Sequence, residues 1–219
     1  APTITNINIH NNKLSVTTHD KHEVWGDGSG VVKYRYMASG EKIENPDASI
    51  ITNELDVGED IIIENLPEVK YVYVVAEDLV GNISKVYEVE IPQLVLTSEV
   101  KLELANGKGG IKLDWSTYDI SDKYFVIYRK KENETDWEVI VSLNNKFRGN
   151  TYFDEFANDV KNPNISTIQI QGNAGNNSIN IVPDSIDNGS NYTYYIEGYD
   201  SNTNILLSVS SYINVWYIL

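Results

Sequence analysis

The chain has 219 residues, of which 41% are hydrophobic and 22% are charged, a composition typical of a folded globular protein. Its 32 acidic and 17 basic residues give a formal net charge of -15. This acidity disfavours nucleic acid and anionic membranes as partners, because binding to phosphate needs clustered Lys and Arg. No apolar run is long enough to span a membrane, and cysteine is absent, so neither membrane insertion nor a disulfide framework is expected.

Residues 1–92 are predicted to form a series of short strands without a helix. Apolar residues alternate within 4–9 and again within 14–16, and the turn Asn11-Asn12 between the two runs predicts a hairpin. The polar, glycine-rich segment 18–30 is expected to be a loop. The next strand alternates Tyr34 and Tyr36 on one face with Lys33 and Arg35 on the other.

Further strands are predicted along the rest of this first part. They fall at Ile50-Ile51, at Ile61–Ile63 and at Val86–Ile91. Between the last two, Leu66-Pro67 turns the chain into the stretch 70–82, which occurs a second time in the sequence.

The repeated stretch is the strongest signal in the chain. Residues 70–82 align without a gap with residues 192–204, about 120 residues later. Each copy reads as a strand of β-branched and aromatic residues with a period of two, followed by an Asp that is expected to cap a turn (Asp78, Asp200). One face of each copy must be buried: Val72, Val74 and Ala76 in the first, and Tyr192, Tyr194, Ile196 and Gly198 in the second. The repeat therefore predicts two β-sandwiches of one general kind.

The joint between the two sandwiches is predicted at Pro92-Gln93, and its shortness predicts a fixed relative orientation. Beyond it, alternating residues mark strands at 100–104, 111–115, 124–128 and 137–140. Trp115 is expected to lie in the core.

Two family resemblances support this division. Ala1-Pro2, the run Ser29-Gly30-Val31 leading into Tyr34-Arg35-Tyr36, and the ending Val74–Asn82 resemble the bacterial Ig-like modules of Gram-positive surface and secreted proteins. The pattern Ile111-x-Leu113-x-Trp115, then 124–130, then Trp137–Ile140 closely resembles a fibronectin type III module, in which Asn188–Tyr192 would make Tyr192 the tyrosine-corner residue.

The resemblances imply an all-β chain of two tandem immunoglobulin-like and fibronectin type III-like β-sandwiches. The first would be a bacterial Ig-like sandwich over 1–92 and the second a fibronectin type III-like sandwich over 93–219. The second departs from its family by an insertion at about 157–187, whose alternating isoleucines flank a turn at Gly172–Asn177 and predict a hairpin: Ile168, Ile170, Ile179 and Ile181. An isolated hairpin is marginal in water, so this one should pack on the module.

Chemical sites are weakly indicated. The segment His19-x-x-His22 with Asp20 and Glu23 offers metal-ligating groups, but it reads as a solvated loop. Carboxylates at one end of the first sandwich could in principle gather calcium, although their spacing matches no calcium loop: Asp20, Asp27, Glu77 and Asp78. No nucleophile elbow, phosphate loop or nucleotide fingerprint occurs. The sequence therefore predicts no metal site, no cofactor and no enzymatic activity.

Aromatic residues on the outward strand faces have two interpretations. The outward positions are Tyr71, Tyr73 and Val75 in the first repeat, Tyr195 and Tyr199 in the second, and Phe125 and Ile127 on the neighbouring strand. They are either covered by the inserted hairpin and the neighbouring domain, or they form a recognition surface. On the second interpretation Phe125, Ile127, Tyr195 and Tyr199 bind the ligand. Cation-π contacts from Lys33 and Arg35 are expected to satisfy Tyr71 and Tyr73.

The resemblances also imply a role. Such modules act as rigid spacers or as adhesion and protein-interaction modules in larger extracellular or cell-surface bacterial proteins, and the absence of cysteine agrees with a Gram-positive source. The expected partners are other domains of the parent protein and a host or cell-surface protein or glycan. A carbohydrate-binding accessory module of a polysaccharide-degrading enzyme, or an accessory domain of a toxin or phage tail protein, is the alternative.

Overall fold

The computed structural model describes residues 1–20, 30–103, 108–155 and 191–216. Within these ranges the chain forms strands joined by turns and three short 3-10 segments, and it contains no α-helix. The all-β prediction is confirmed. Several sequence expectations lie outside the described residues: the inserted hairpin at 157–187, the segment that leads into the corner at Tyr192, and His22, Glu23 and Asp27.

The strands divide into an earlier and a later set. The earlier set consists of β1 (Thr3–His10), β2 (Lys13–His19), β3 (Val31–Ser39), β4 (Asn53–Asp56), β5 (Ile61–Ile62), β6 (Tyr71–Asp78) and β7 (Tyr87–Glu90). The later set consists of β8 (Thr97–Glu103), β9 (Lys108–Asp114), β10 (Lys123–Lys131), β11 (Glu138–Val141), β12 (Thr151–Asp154), β13 (Asn191–Asp200), β14 (Leu206–Val209) and β15 (Ile213–Trp216).

Both sets have the same sheet topology. In the first, one sheet has the order β1-β2-β5 and the other β4-β3-β6-β7. In the second, the sheets are β8-β9-β12 and β11-β10-β13-β14, with β15 also paired to β13. Each set thus places its first, second and fifth strands in one sheet and its fourth, third, sixth and seventh in the other. This is the arrangement of immunoglobulin-like and fibronectin type III-like sandwiches, and the chain is a tandem pair of them.

The repeated stretch forms the equivalent strand in each sandwich, β6 and β13. Antiparallel pairing joins β6 to both β3 and β7, and β13 to both β14 and β15. Burial alternates without interruption along β13, with Tyr192, Tyr194, Ile196 and Gly198 buried as predicted. In β6 the predicted inward residues Val72, Val74 and Ala76 are buried, and so are the residues between them.

The first hairpin is confirmed, because β1 pairs with β2 around Asn11-Asn12 and Asn11 adopts the positive φ of 54° that such a turn requires. The strand predicted at Ile50-Ile51 is wrong. There the Asp47 carboxylate accepts a hydrogen bond from the Ser49 amide and caps a 3-10 segment, Ala48–Ile50, whose end leaves Ile51 buried.

By compactness the chain divides into two units. One contains Ala1–Leu94, Ser121–Tyr124 and Glu197–Val209, and the other contains Val95–Ile120, Phe125–Ile196 and Ser210–Leu219. The core of the first unit is built mainly from the facing sheets of the first sandwich, with Leu14, Tyr34, Ile61, Val72, Val74 and Leu207 among its members. In the second unit Trp115 is 1% exposed and its ring contacts Phe125 and Phe147, so its prediction as a core residue is confirmed.

Candidate functional site

Two of the four predicted ligand-binding residues lie in the interior. Phe125 and Ile127 are fully buried, and the Phe125 ring contacts Trp115 at 5.3 Å and Tyr118 at 6.4 Å between centroids. The expectation that they face outward is wrong. Five consecutive residues of β10 are buried, so alternation alone does not identify its inner face, and contact with Trp115 decides it.

The other two residues lie on the outer face, as expected. The Tyr195 ring stacks on Tyr128 at 4.4 Å with an interplanar angle of 2°. The Tyr199 ring stacks on Tyr124 at 5.3 Å and 9°, and the Tyr199 hydroxyl donates to Glu197 at 2.6 Å. Each is half-buried. Of the four predicted residues, therefore, Tyr195 and Tyr199 share a face, and Phe125 and Ile127 are separated from them by the thickness of the sheet.

Tyr195 is the centre of a larger group that we call the aromatic cluster: Tyr128, Trp137, Tyr195 and Tyr212. Trp137, from the β10–β11 connection, meets Tyr195 edge-on at 4.7 Å and stacks on Tyr212 at 5.4 Å. Tyr212 also meets Tyr195 edge-on at 5.4 Å. All four residues belong to the second unit. Offset and edge-to-face contacts of this kind stabilise ring positions beyond their simple burial.

Sequence reasoning missed three of the four rings. A signal for Tyr128 was present, because it alternates with Tyr124 along β10 and must share its face. Trp137 and Tyr212 carry no comparable local signal, since they precede β11 and β15 and reach the cluster through the tertiary fold.

The outer face of the first sandwich is closed. Tyr73 and Val75 are fully buried under the β3–β4 connection, where Ile51 is buried with them and Ile43 and Ala48 pack against the group. The Ile43 amide donates to the Tyr73 hydroxyl at 2.8 Å. The first sandwich thus has no open aromatic surface on the described part of this face, and its own β3–β4 connection covers Tyr73 and Val75.

The expected cation-π contacts are also wrong in detail. The register places Lys33 opposite Glu77 and Arg35 opposite Val75, away from Tyr71 and Tyr73. Lys33 instead donates to Glu54 at 2.9 Å, and Arg35 lies 3.6 Å from Glu77. The cation that approaches Tyr71 is Lys42, at 6.0 Å from the ring centroid.

The outer face of the larger sheet is covered in the same way in both sandwiches. In each, the connection between the third and fourth strands folds across the outer side of the larger sheet: residues 40–52 over Tyr73, and Trp137 over Tyr195. The longer first connection buries its tyrosine completely, whereas the shorter second one leaves Tyr195 half-buried. The second outer face therefore keeps an open aromatic surface.

That surface continues along β15. Tyr212, which immediately precedes this strand, lies on the same outer side as Asn214 and Trp216 within it, and Tyr212 and Trp216 are 66% and 53% exposed. Asn214 lies opposite Thr193 in the pairing of β15 with β13. The Thr193 hydroxyl donates a hydrogen bond to the Asn214 side-chain oxygen at 2.7 Å. The result is a row of two exposed rings with a polar pair between them.

A buried ionic group lies on the inner side of the same sheet. Arg129 donates to both carboxylate oxygens of Asp154, at 3.1 and 3.0 Å, and the Tyr194 hydroxyl donates to Asp154 at 2.9 Å. Asp154 is only 1% exposed. Burial, with the nearby Asp154 charge, raises the pKa of Tyr194 above its ordinary value. The carboxylate is thus held by two neighbours, as in a structural ion pair.

The two predicted Asp caps are confirmed. Asp78 accepts from the amides of Val80 and Asn82 at 3.1 and 2.8 Å, and Asp200 accepts from those of Asn202 and Thr203 at 2.8 Å each. Burial raises the pKa of Asp200, but the hydrogen bonds from the two amides and from the Asn11 and Thr203 side chains together outweigh it, and the net shift of the pKa is downward. Both carboxylates therefore act as turn caps.

The described ranges hold no group of three His, Cys, Asp or Glu side chains able to bind a metal ion. They also hold no helix long and apolar enough to cross a membrane.

No protein family matches the chain, and no curated protein matches it. Solved structures to which it is similar include a cytokine receptor complex, at 8% identity and a TM-score of 0.34 over 96% of this chain and 93% of that one. The FN1–FN3 domains of chicken CNTN1 are 13% identical, with a TM-score of 0.29 over 97% of this chain and 65% of that one. The chicken interferon gamma receptor alpha chain is 9% identical, with a TM-score of 0.34 over 100% of this chain and 98% of that one. Scores this low carry no argument, so the fold assignment rests on the strand order itself.

Proposed function

We propose that the chain is a non-catalytic recognition and spacer segment of a larger extracellular bacterial protein. The observation that carries this proposal is the aromatic cluster, which the fold holds on the outer face of the second sandwich with Tyr212 largely exposed. An exposed aromatic surface costs solubility, so its presence on a soluble sandwich favours a binding role. Fold alone assigns no function, and the cluster supplies the site.

The rings are well suited to recognition because they are already ordered. Tyr195 is stacked on Tyr128 and flanked edge-on by Trp137 and Tyr212. The Lys130 ammonium lies 5.0 Å from the Trp137 ring and adds a further contact. Rings that are fixed before binding lose little conformational entropy when a partner arrives.

The spacer role concerns the rest of the chain. In this proposal the first sandwich covers 1–92, the second covers 93–219, and the joint between them is short and ordered. Within the first unit, the Gln93 side-chain amide donates to the carbonyl oxygens of Ile91 at 2.8 Å and Val69 at 3.3 Å, which holds the end of the first sandwich in place. The strongly acidic composition favours solubility outside the cell and disfavours nucleic acid. The partners in this view are other domains of the parent protein and a host or cell-surface protein or glycan.

A cell-surface binding assay tests the proposal. Beads that carry the full chain are incubated with panels of bacterial and animal cells, and retention is compared with beads that carry Tyr212→Ala. Leu79→Ala is the matched control, because Leu79 is 71% exposed and lies in the first sandwich. We expect the wild-type and Leu79→Ala beads to bind and the Tyr212→Ala beads to bind less. No retention of wild-type beads, or equal retention of all three, would contradict the proposal.

A further inference from the structure

We propose that the outer face of β15 binds a neutral glycan chain along Tyr212, Asn214 and Trp216. This inference rests on the proposed recognition function and names the ligand class of the same surface. The face is open at both rings, which are 66% and 53% exposed, and it belongs to the second unit throughout.

The spacing of the row favours a chain of sugars over a single one. Tyr212 and Trp216 are four residues apart, so their backbones are separated by about 14 Å at the usual rise of an extended strand. This distance exceeds one sugar ring. A linear oligosaccharide lying along β15 would place one unit against each aromatic ring and others between them.

The chemistry between the rings also matches a sugar. The C–H face of a pyranose is weakly positive and packs on the negative face of an aromatic ring. Between the two rings, the exposed Asn214 amide and the Thr193 hydroxyl form a polar pair at 2.7 Å. Among the described residues no hydrogen bond engages the Asn214 Nδ2 group, which can therefore donate to a sugar hydroxyl. An apolar protein surface would bury this pair without giving Asn214 an acceptor, and such burial costs free energy.

Charge selects a neutral glycan. The chain carries 32 acidic and 17 basic residues, so its net charge of -15 would repel a polyanionic glycan. The Lys130 ammonium lies over the Trp137 ring, where a cation-π contact engages it. A ligand of hydroxyl groups and C–H faces fits these surroundings better than a carboxylated or sulfated one.

The test is a calorimetric titration of the full chain. The probes are neutral oligosaccharides of glucose, xylose, mannose and N-acetylglucosamine, with an oligogalacturonate as the anionic comparator. We expect a neutral probe to bind and the anionic probe not to bind. Tyr212→Ala and Trp216→Ala should each weaken binding about tenfold, as the loss of one stacking ring does elsewhere.

Three controls make the result specific. Trp216→Phe keeps a stacking ring and should recover most of the affinity, and Leu79→Ala should bind as the wild type does. Each variant should keep the wild-type circular dichroism spectrum and a cooperative unfolding transition, with only a small decrease of the unfolding temperature for Tyr212→Ala, whose ring contacts Trp137 and Tyr195. Failure of every neutral probe to bind, or binding that Tyr212→Ala and Trp216→Ala leave unchanged, would overturn the inference.

The cell-binding assay separates this failure from that of the proposed function. If the beads still bind cells and protease treatment of the cells abolishes retention, the surface recognises a protein, so the glycan inference is wrong and the recognition function stands. If periodate treatment abolishes retention and protease does not, the glycan inference is supported. Absence of both cell and oligosaccharide binding contradicts both proposals.

Discussion

The indole ring of Trp137 stands edge-on over the phenol ring of Tyr195, with centroids 4.7 Å apart and an interplanar angle of 87°. This contact brings the β10–β11 connection across the outer face of the sheet. It also positions Tyr212, which stacks on Trp137 at 5.4 Å. The arrangement of the aromatic cluster therefore depends on a residue outside the strands of the sheet.

Replacement of Trp137 by Ala should uncover Tyr195. We expect the free energy of unfolding to fall by about 1–2 kcal/mol, less than for a fully buried tryptophan because Trp137 is half-exposed. The variant should also bind a hydrophobic dye. Urea denaturation followed by circular dichroism, with dye fluorescence, measures both effects, and Leu79→Ala serves as the control. An unchanged midpoint without dye binding would mean that Trp137 does not cover the face.

Replacement of Trp115 by Ala removes the largest buried side chain of the second unit. The cost should be about 3–5 kcal/mol, because the cavity left among Phe125 and its neighbours cannot close fully. Equilibrium denaturation gives the value directly. A loss below about 1 kcal/mol would contradict the position of Trp115 in the core.

Replacement of Asp154 by Ala should destabilise the chain more than Tyr194→Phe does. The first variant breaks this pair but leaves the partly buried Arg129 its contact with Glu138, so the loss should fall near the lower end of the range of about 3–5 kcal/mol that is typical of a broken buried ion pair. The second variant removes the hydrogen bond that the Tyr194 hydroxyl donates to Asp154, which should lower the free energy of unfolding by about 1–2 kcal/mol. Denaturation of both variants with the wild type tests the order, and equal losses would show that the ion pair contributes no more than the hydroxyl does.

Asp114 should make stability depend on acid pH. Hydrogen bonds from Lys112, at 2.8 Å, and from Ser116 hold the pKa of Asp114 well below its ordinary value of 3.8. The pKa of Asp114 is lower in the folded protein than in the unfolded chain. Its ionised carboxylate therefore contributes fully to the free energy of unfolding above the unfolded-state pKa, and this contribution is lost as the pH falls toward the folded-state pKa.

The measurement is the free energy of unfolding between about pH 5 and about pH 2, for the wild type and Asp114→Asn. The wild type should lose stability more steeply over this interval, while the variant, which cannot titrate at this position, should start lower and show a shallower slope. Parallel curves would mean that Asp114 is not coupled to folding.

Much of the fold followed from local patterns. The alternation along β13 identified its buried face, because a strand turns successive side chains to opposite sides. The caps at Asp78 and Asp200 were predictable because a carboxylate that accepts from amides two to four residues ahead needs only its own turn. The repeat of 70–82 at 192–204 predicted two similar sandwiches, and the strand orders agree with that prediction.

The candidate site followed from the sequence only in part. Tyr195 was placed on the correct face, whereas Phe125 and Ile127 were not, because both faces of β10 are buried and apolar character distinguishes neither. The alternation of apolar and polar residues identifies the buried face of a strand only where the opposite face is exposed to solvent.

The sequence by itself thus determined most of the strands, the first hairpin turn, the two Asp caps and the inner faces of β6 and β13, since each depends on neighbours along the chain. The tertiary structure alone decided what covers each outer face: Ile43 and Ile51 over Tyr73, and Trp137 over Tyr195. These contacts join residues that no short-range pattern relates. Their geometry depends on the path of each connection between the third and fourth strands, because the length of that connection sets how much of the sheet it can reach.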